Sequence, residues 1–132
     1  YGFDIQKEAI LTTKRYTASF NNVILIQAGH ENMSNYVHDD VDLVVFNLGY
    51  LPCSDPTITT LPDTTMKAIK EAEKLLKVDG SLFITFYIGH ANGKKEHEAF
   101  INSLSDLSLF KILDSYTYQD RQDAPILYHL LL

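Results

Sequence analysis

The chain has one cysteine, few basic residues and no long apolar run. The single cysteine, Cys53, excludes an intrachain disulfide and fits the reducing cytoplasm. No stretch of about 18 apolar residues occurs, and no charged-then-apolar leader, so we expect no membrane span and no signal peptide. Eleven Lys and Arg against seventeen Asp and Glu give a net charge of −6. That charge disfavours broad binding to nucleic acid but allows a local basic patch.

Apolar runs alternate with helical stretches along all 132 residues, 45% of which are hydrophobic. The pattern is typical of βα repeats around a parallel sheet in one domain, residues 1–132. It predicts strands at 1–5, 23–26, 41–48, 81–88, 110–118 and 125–132, and helices at 6–17, 31–37, 60–80 and 96–104. The last two strands follow one another as in a hairpin. Because the first residue lies in an apparent strand, we expect that an N-terminal segment is missing.

The helix before Gly80 has the clearest boundary signals. Thr60 and Asp63 approximate a capping box, Pro62 occupies the first turn, and Gly80 is expected to end the helix. Its apolar stripe consists of Met66, Ile69, Ala72, Leu75 and Leu76. Four lysines share another face, which we interpret as solvated rather than as a phosphate-contacting stripe: Lys67, Lys70, Lys74 and Lys77.

The run from Val41 to Leu48 predicts a strand that is buried on both faces of the sheet. It passes directly into Asn47-Leu48-Gly49-Tyr50-Leu51-Pro52. Ligands of open α/β sheets bind beyond the carboxyl ends of the strands, so this segment is a candidate site. The alternative interpretation is an ordinary turn that follows a strand.

Polar residues follow four successive predicted strands. They are Asp4, then Gly29-His30-Glu31, then Asn47 to Tyr50, then Gly89-His90. The carboxyl ends of parallel strands share one edge of a sheet, so we expect these residues to meet in one crevice.

Each of these residues has two interpretations. Asp4 fits a carboxylate that binds the ribose hydroxyls of an adenosine cofactor, or a cap for the helix that begins at Gln6. His30 fits the loop over an adenine ring, or a half-buried residue at a helix start. His90 fits a proton acceptor for an ammonium substrate, since imidazoles exchange protons near neutral pH, or a solvent-facing histidine in a glycine-bracketed turn. His30, His90 and His97 lack metal-ligand spacing, so we predict no metal.

Asn47-Leu48-Gly49-Tyr50 resembles the Asn-Pro-Pro-Tyr element of S-adenosylmethionine-dependent amino-methyltransferases. The whole chain is similar to the bacterial class I methyltransferase family that carries the label rRNA methylase. Characterised members methylate the 5-aminomethyl group of the wobble (2-thio)uridine in tRNA. The matching segments are Phe3-Asp4-Ile5-Gln6, Gly29-His30-Glu31-Asn32, Phe46 to Pro52 with Asp55, Ile58-Thr59-Thr60, and Tyr87-Ile88-Gly89-His90 with Gly93 and Glu96.

The resemblance implies a doubly wound Rossmann-like sheet, mostly parallel, with an antiparallel C-terminal hairpin. The family's first strand and glycine-rich turn have no counterpart here, so we expect a sheet that is split in two. Cys53-Ser54 replaces a glycine pair of the family, and we assign Cys53 no role.

The resemblance also implies S-adenosylmethionine as cofactor and a tRNA anticodon arm, or another RNA, as partner, with a homodimer as one assembly. The implied catalytic residues are Asn47 to orient the amine, Tyr50 to pack on the uracil, and His90 to assist deprotonation. The implied cofactor contacts are Asp4, Gln6, Gly29, His30, Glu31, Asn47 and Leu48, and the implied substrate contacts are Tyr50, Pro52 and Asp55. An acidic chain that handles tRNA needs local positive charge, so we add Lys94 and Lys95, which lie beside His90 at the edge of the crevice, to the predicted substrate contacts.

Two other functions stay open at this point. The chain could methylate another RNA amine, such as one in rRNA, or it could be a catalytically silent α/β binding module. A nicotinamide dehydrogenase is disfavoured, because the closing hairpin and Asn-Leu-Gly-Tyr have no role in one. Titration with S-adenosylmethionine separates an enzyme from a silent module.

Overall fold

The computed structural model describes residues 1–49, 59–107 and 109–132, in which strands and helices alternate. The strands are β1 (Gly2–Asp4), β2 (Leu25–Gln27), β3 (Val41–Asn47), β4 (Leu76–Phe86), β5 (Lys111–Thr117) and β6 (Ile126–Leu131). The helices are α1 (Lys7–Tyr16), α2 (Pro62–Leu75) and α3 (Ala91–Asn102), with 3₁₀ helices at His30–Asn35 and Leu104–Asp106. The alternation confirms the predicted α/β class. None of the described helices is long and apolar enough to cross a membrane.

The strands form two sheets. β1 pairs in parallel with β2, and the other four strands have the order β3-β4-β6-β5. β3 and β4 are parallel, whereas β6 runs antiparallel to both β4 and β5. The closing hairpin is therefore confirmed, with its second strand inserted between the first and β4. No ladder joins β1 to β3 in the described part of the chain, so the sheet is split as expected.

A groove of about 510 Å³ lies between β1 and β3. Residues of both strands line it, including Gly2 and Phe3 on one side and Leu43 and Val45 on the other. Phe3 also packs edge-on against Tyr36, with ring centroids 5.9 Å apart. In the described part of the chain the groove therefore separates β1 from β3, and Phe3 contacts the segment that follows the 3₁₀ helix.

The core lies on one face of the four-stranded sheet. Leu82, Ile84 and Phe86 alternate along β4 and are fully buried against α2 and α3, with the Phe86 and Phe100 rings 5.0 Å apart. On the other face Leu43 and Val45 are 52% and 61% exposed. The prediction that this strand is buried on both faces is therefore wrong, since no described helix covers its second face.

Helix α2 ends earlier than its apolar stripe predicts. Its last residue is Leu75, and Leu76 has an extended backbone (φ −70°, ψ 138°) and pairs with Val41 as the first residue of β4. Asp79, with φ of 64°, turns the chain within this strand, so Gly80 does not end a helix. Because Leu76 pairs with Val41 in the parallel ladder of β3 and β4, it adopts an extended backbone and does not continue the helix.

The start of α2 also differs from the prediction. The residue that precedes the helix is Leu61, whose backbone N–H donates to the Thr64 hydroxyl at 3.3 Å. Thr60 and Asp63 therefore do not form the capping box, and the Thr60 hydroxyl accepts a hydrogen bond from the Gly49 N–H instead. Thr60 thereby connects the start of α2 to the end of β3.

Candidate active site

The ends of β1, β2 and β3 meet at a cavity of about 380 Å³, a size typical of small-molecule sites. Six of the predicted cofactor contacts line it: Asp4, Gln6, Gly29, His30, Glu31 and Asn47. Leu48 is buried and lies in the adjoining groove. Gly49, Thr59, Thr60 and Thr64 complete the wall on the side of α2. Residues from both sheets therefore form one site.

Asp4 holds the residue that precedes α1 and also faces the cavity. Its Oδ1 accepts a hydrogen bond from the Gln6 backbone N–H at 2.8 Å. The helix itself begins at Lys7 without a side-chain cap, so the interpretation of Asp4 as a helix cap is wrong. The hydrogen bond from Gln6 fixes the carboxylate at the cavity wall. A carboxylate fixed in this way can accept hydrogen bonds from the hydroxyls of a ligand.

His30 begins the 3₁₀ helix and packs against Phe46, with ring centroids 5.7 Å apart. Burial lowers the pKa of His30, and the nearby carboxylates of Glu31, Glu96 and Asp4 offset only part of that effect. Burial therefore favours the neutral form of the ring.

Two buried polar atoms in this wall have no hydrogen-bond partner among the described residues. They are His30 Nε2 and Thr59 Oγ1. Buried polar groups are almost always paired, because an unpaired one costs about 1–3 kcal/mol. The cavity therefore suits a ligand that brings polar groups of its own.

Asn47 is the last residue of β3, and its side chain is exposed. Its Oδ1 accepts a hydrogen bond from the Tyr87 hydroxyl at 2.9 Å. The following turn needs glycine, because Gly49 has φ of 139°. Thr60 binds Gly49 twice, through its hydroxyl at 3.0 Å and through its backbone N–H at 3.2 Å. The end of β3 is thus fixed by Thr60, just before α2, on one side and by Tyr87 on the other.

His90 caps α3, which begins at Ala91 and not at the predicted residue 96. Its Nδ1 accepts a hydrogen bond from the Gly93 backbone N–H at 3.1 Å. A neutral ring that accepts through Nδ1 carries its proton on Nε2, and that atom is buried. A Cβ at residue 93 would collide with the Tyr87 carbonyl oxygen, so the glycine lets α3 approach the end of β4. The predicted glycine-bracketed turn is therefore a helix start.

The lysines differ in their surroundings. Lys94 and Lys95 are exposed in the first turn of α3, and Lys94 Nζ lies 3.6 Å from an Asp123 carboxylate oxygen. On α2, Lys74 pairs with Glu71 at 2.7 Å and lowers the pKa of that carboxyl. Lys77 lies in β4 and not on α2, so the predicted four-lysine face has three members.

Three predicted substrate contacts, Tyr50, Pro52 and Asp55, lie outside the described residues, as does Cys53. Tyr87 and Thr60 had no predicted site role, although the position of Tyr87 directly after β4 was a usable signal. In the ranges that the structure describes, no group of three or more His, Cys, Asp or Glu residues could hold a metal ion.

Comparison with known proteins gives consistent matches. Residues 1–130 match the family model described as "Putative rRNA methylase". The chain is 40% identical over 106 residues to the Arabidopsis thaliana protein "tRNA (mnm(5)s(2)U34)-methyltransferase, chloroplastic", a match that covers 74% of this chain and 39% of that protein. The chain thus spans well under half of the length of that relative.

Two crystal structures share its fold over 98% of the chain and 73% of their own length. One is a "putative rRNA-methylase" from Clostridium thermocellum, with 35% identity and a TM-score of 0.89. The other is a "putative methyltransferase" from Streptococcus mutans in complex with SAH, with 33% identity and a TM-score of 0.85. These matches confirm the predicted Rossmann-like methyltransferase fold.

Proposed function

Because the chain belongs to the family described as "Putative rRNA methylase", we propose that it transfers a methyl group from S-adenosylmethionine to an amino group of a modified RNA nucleoside. The name of the Arabidopsis relative favours a more specific target, the 5-aminomethyl group of wobble (2-thio)uridine in tRNA. One observation carries the proposal. Asp4, suited to the cofactor, and Asn47, suited to an amine, line the same cavity from the ends of two different strands.

The cavity residues fit the cofactor chemically. The fixed Asp4 carboxylate would accept hydrogen bonds from ribose hydroxyls, and Phe3, Ala28 and Ile5 supply apolar wall. The unpaired His30 Nε2 and Thr59 Oγ1 would find partners among the polar groups of the bound molecules. We place Gln6, Gly29, Glu31 and Leu48 in the same cofactor contact, as the family resemblance implies.

When bound, S-adenosylmethionine would supply the methyl group. The amine lone pair would form the N–C bond while the S–C bond breaks, the two electrons of the S–C bond would stay on sulfur, and the methylated amine would release one proton to solvent. Asn47 would accept a hydrogen bond from the amine and so orient the lone pair. We assign Tyr50 the stacking contact with the uracil, and Pro52 and Asp55 the neighbouring substrate surface. Positioning of this kind can supply most of the rate acceleration.

We place His90 beside the reacting amine. Its capping of α3 limits which of its ring nitrogens could act on the substrate. Its Nδ1 accepts a hydrogen bond from the Gly93 N–H, so this nitrogen serves the helix cap and would not take the proton of the amine. The proton would leave to solvent. Lys94 and Lys95 would contact the phosphates of the RNA. We also propose that the reaction takes place in the cytoplasm.

A methyl-transfer assay tests the function. The purified protein is incubated with methyl-labelled S-adenosylmethionine and one of three RNAs: tRNA with 5-aminomethyl-2-thiouridine at the wobble position, the same tRNA with uridine there, and rRNA. We expect label only in the first. Label in rRNA alone would support the broader family description instead. No label in any RNA, with no saturable heat on titration with S-adenosylmethionine, would indicate a silent binding module.

A further inference from the structure

The hydrogen bond between Tyr87 and Asn47 joins the ends of two neighbouring strands. β3 and β4 run in parallel, and Asn47 pairs in register with Thr85. Phe86 points into the helix-covered core, so the next residue along the strand direction faces the opposite side. There the Tyr87 hydroxyl lies 2.9 Å from Asn47 Oδ1 and donates to it.

Tyr87 is itself held in place. The Gly93 backbone packs against the Tyr87 carbonyl oxygen, and a Cβ at Gly49 would lie 3.7 Å from the Tyr87 ring. His90, three residues further on, caps α3 and keeps that helix against the end of β4. The phenol is therefore presented to Asn47 from a fixed backbone.

The orientation of the Asn47 amide decides what a substrate amine meets. An amide has an oxygen that accepts two hydrogen bonds and an NH₂ that donates two, and its terminal torsion is soft and roughly two-fold. The oxygen can accept an N–H of the amine and leave the lone pair free to attack. The NH₂ group would instead donate to that lone pair and block the attack.

We propose that Tyr87 is a positioning residue: its phenol O–H fixes Asn47 Oδ1 in the orientation that accepts from the target amine. One lone pair of Oδ1 receives the phenol proton, and the second is left for the amine N–H. The inference rests on the proposed function for the identity of the amine. The fixed amide orientation itself does not depend on the reaction.

Two readouts on Tyr87→Phe test the inference, because this variant keeps the ring and removes only the donor. In the methyl-transfer assay, kcat should fall by about 10-fold or more, while KM for the RNA and Kd for S-adenosylmethionine change less than about 2-fold. Tyr118→Phe, which removes the hydroxyl of an exposed tyrosine on another part of the chain, should leave kcat unchanged. In an Asn47→Ala background, Tyr87→Phe should have no further effect.

The second readout needs no activity. The side-chain NH₂ resonances of Asn47, identified by their loss in Asn47→Ala, should shift or broaden in Tyr87→Phe and stay unchanged in Tyr118→Phe. Unchanged Asn47 resonances in Tyr87→Phe, or a kcat loss that persists in the Asn47→Ala background, would overturn the positioning role. Failure of the proposed function gives a different result, an inactive wild-type protein whose Asn47 resonances still respond to Tyr87→Phe.

Discussion

Thr65 donates a hydrogen bond to Glu96 inside the core. The Thr65 hydroxyl lies 2.6 Å from a Glu96 carboxyl oxygen, and the two residues are 0% and 1% exposed. The bond joins α2 to α3, the two helices that cover the four-stranded sheet. Glu96 also acts on His30, whose pKa it helps to raise against the effect of burial. A polar contact in the core thus connects the helix layer to the cavity wall.

Removal of the Thr65 hydroxyl should destabilise the protein. Thr65→Val leaves a buried carboxyl oxygen without its donor, which costs about 1–3 kcal/mol of the free energy of unfolding. Urea unfolding measures this cost as a lower midpoint at an unchanged m-value. Thr65→Ser keeps the hydroxyl and serves as the control. If Thr65→Val is as stable as Thr65→Ser, the hydrogen bond contributes nothing.

Asp4→Ala should weaken the binding of S-adenosylmethionine by about 1.5–3 kcal/mol, since hydrogen bonds to a charged acceptor have this strength. Asp4 Oδ1 also accepts the hydrogen bond from the Gln6 N–H, so the same change should cost about 0.5–1.5 kcal/mol of stability. Asp4→Asn separates the roles, because its amide oxygen can still accept this hydrogen bond while the charge is lost. Calorimetry should show weaker binding for both variants, with urea unfolding of Asp4→Asn close to wild type. Unchanged affinity in both would remove Asp4 from the cofactor site.

Asn47→Ala should lower turnover far more than cofactor affinity. In the proposed function the amide orients the reacting amine, so its loss should reduce kcat by about 100-fold while Kd for S-adenosylmethionine stays within about 2-fold. Single-turnover kinetics and calorimetry give the two numbers. Asn102→Ala, at the exposed end of α3, is the matched control. Equal losses of affinity and turnover would make Asn47 a structural residue.

Lys94→Glu combined with Lys95→Glu should raise KM for tRNA and flatten its salt dependence. Each lost phosphate contact reduces the slope of log K against log salt by about 1. Lys70→Glu with Lys74→Glu reverses the same charge on α2 and should do less, because Lys74 pairs with Glu71 at 2.7 Å, more closely than Lys94 pairs with Asp123 at 3.6 Å. KM measured at several salt concentrations decides between them. Greater damage from the α2 pair would mean that the RNA crosses that helix.

Stability should fall on acidification. Burial lowers the pKa of His97, with a smaller opposing effect from Glu98, and burial lowers the pKa of His30 in the same way. Below about pH 6.5 the unfolded chain therefore takes up protons that the folded chain does not, and the free energy of unfolding decreases down to the lowered pKa values.

His97 provides the test of this pH dependence, since its Nε2 lies 2.8 Å from the Tyr128 hydroxyl in the aromatic cluster around Phe86. His97→Phe should reduce the difference between the urea midpoints measured at about pH 7.5 and pH 5. His38→Phe, at an exposed position, should leave that difference unchanged. A difference equal to wild type in His97→Phe would assign the effect to other groups.

The strand ends could be predicted from the sequence because each combines an apolar run with an abrupt polar residue. Asp4 and Asn47 were placed in this way, and the cavity they share follows from parallel pairing. The switch at Leu76 could not be predicted, because Leu75 and Leu76 both fit a helical stripe and only pairing with Val41 makes the second a strand residue. Tyr87 and Thr60 act through partners 40 and 11 residues away, for which no local pattern exists.

The exposed second face of β3 could not be predicted either. The residues Leu43, Val44 and Val45 show that the strand is apolar, but they do not show which helices or strands cover its two faces. Burial depends on the tertiary structure, which the spacing of apolar residues does not contain. The same limit applies to β2. Val23 and Ile24 were predicted as strand residues, but β2 begins at Leu25 and both side chains are exposed.

The unpaired edge of β3 borders the candidate site. An apolar edge strand is a template for pairing with another chain, and within the described residues β3 pairs only with β4. Asn47 lies on that same strand, so a strand added to this edge would also border the amine-binding end that we propose for the site.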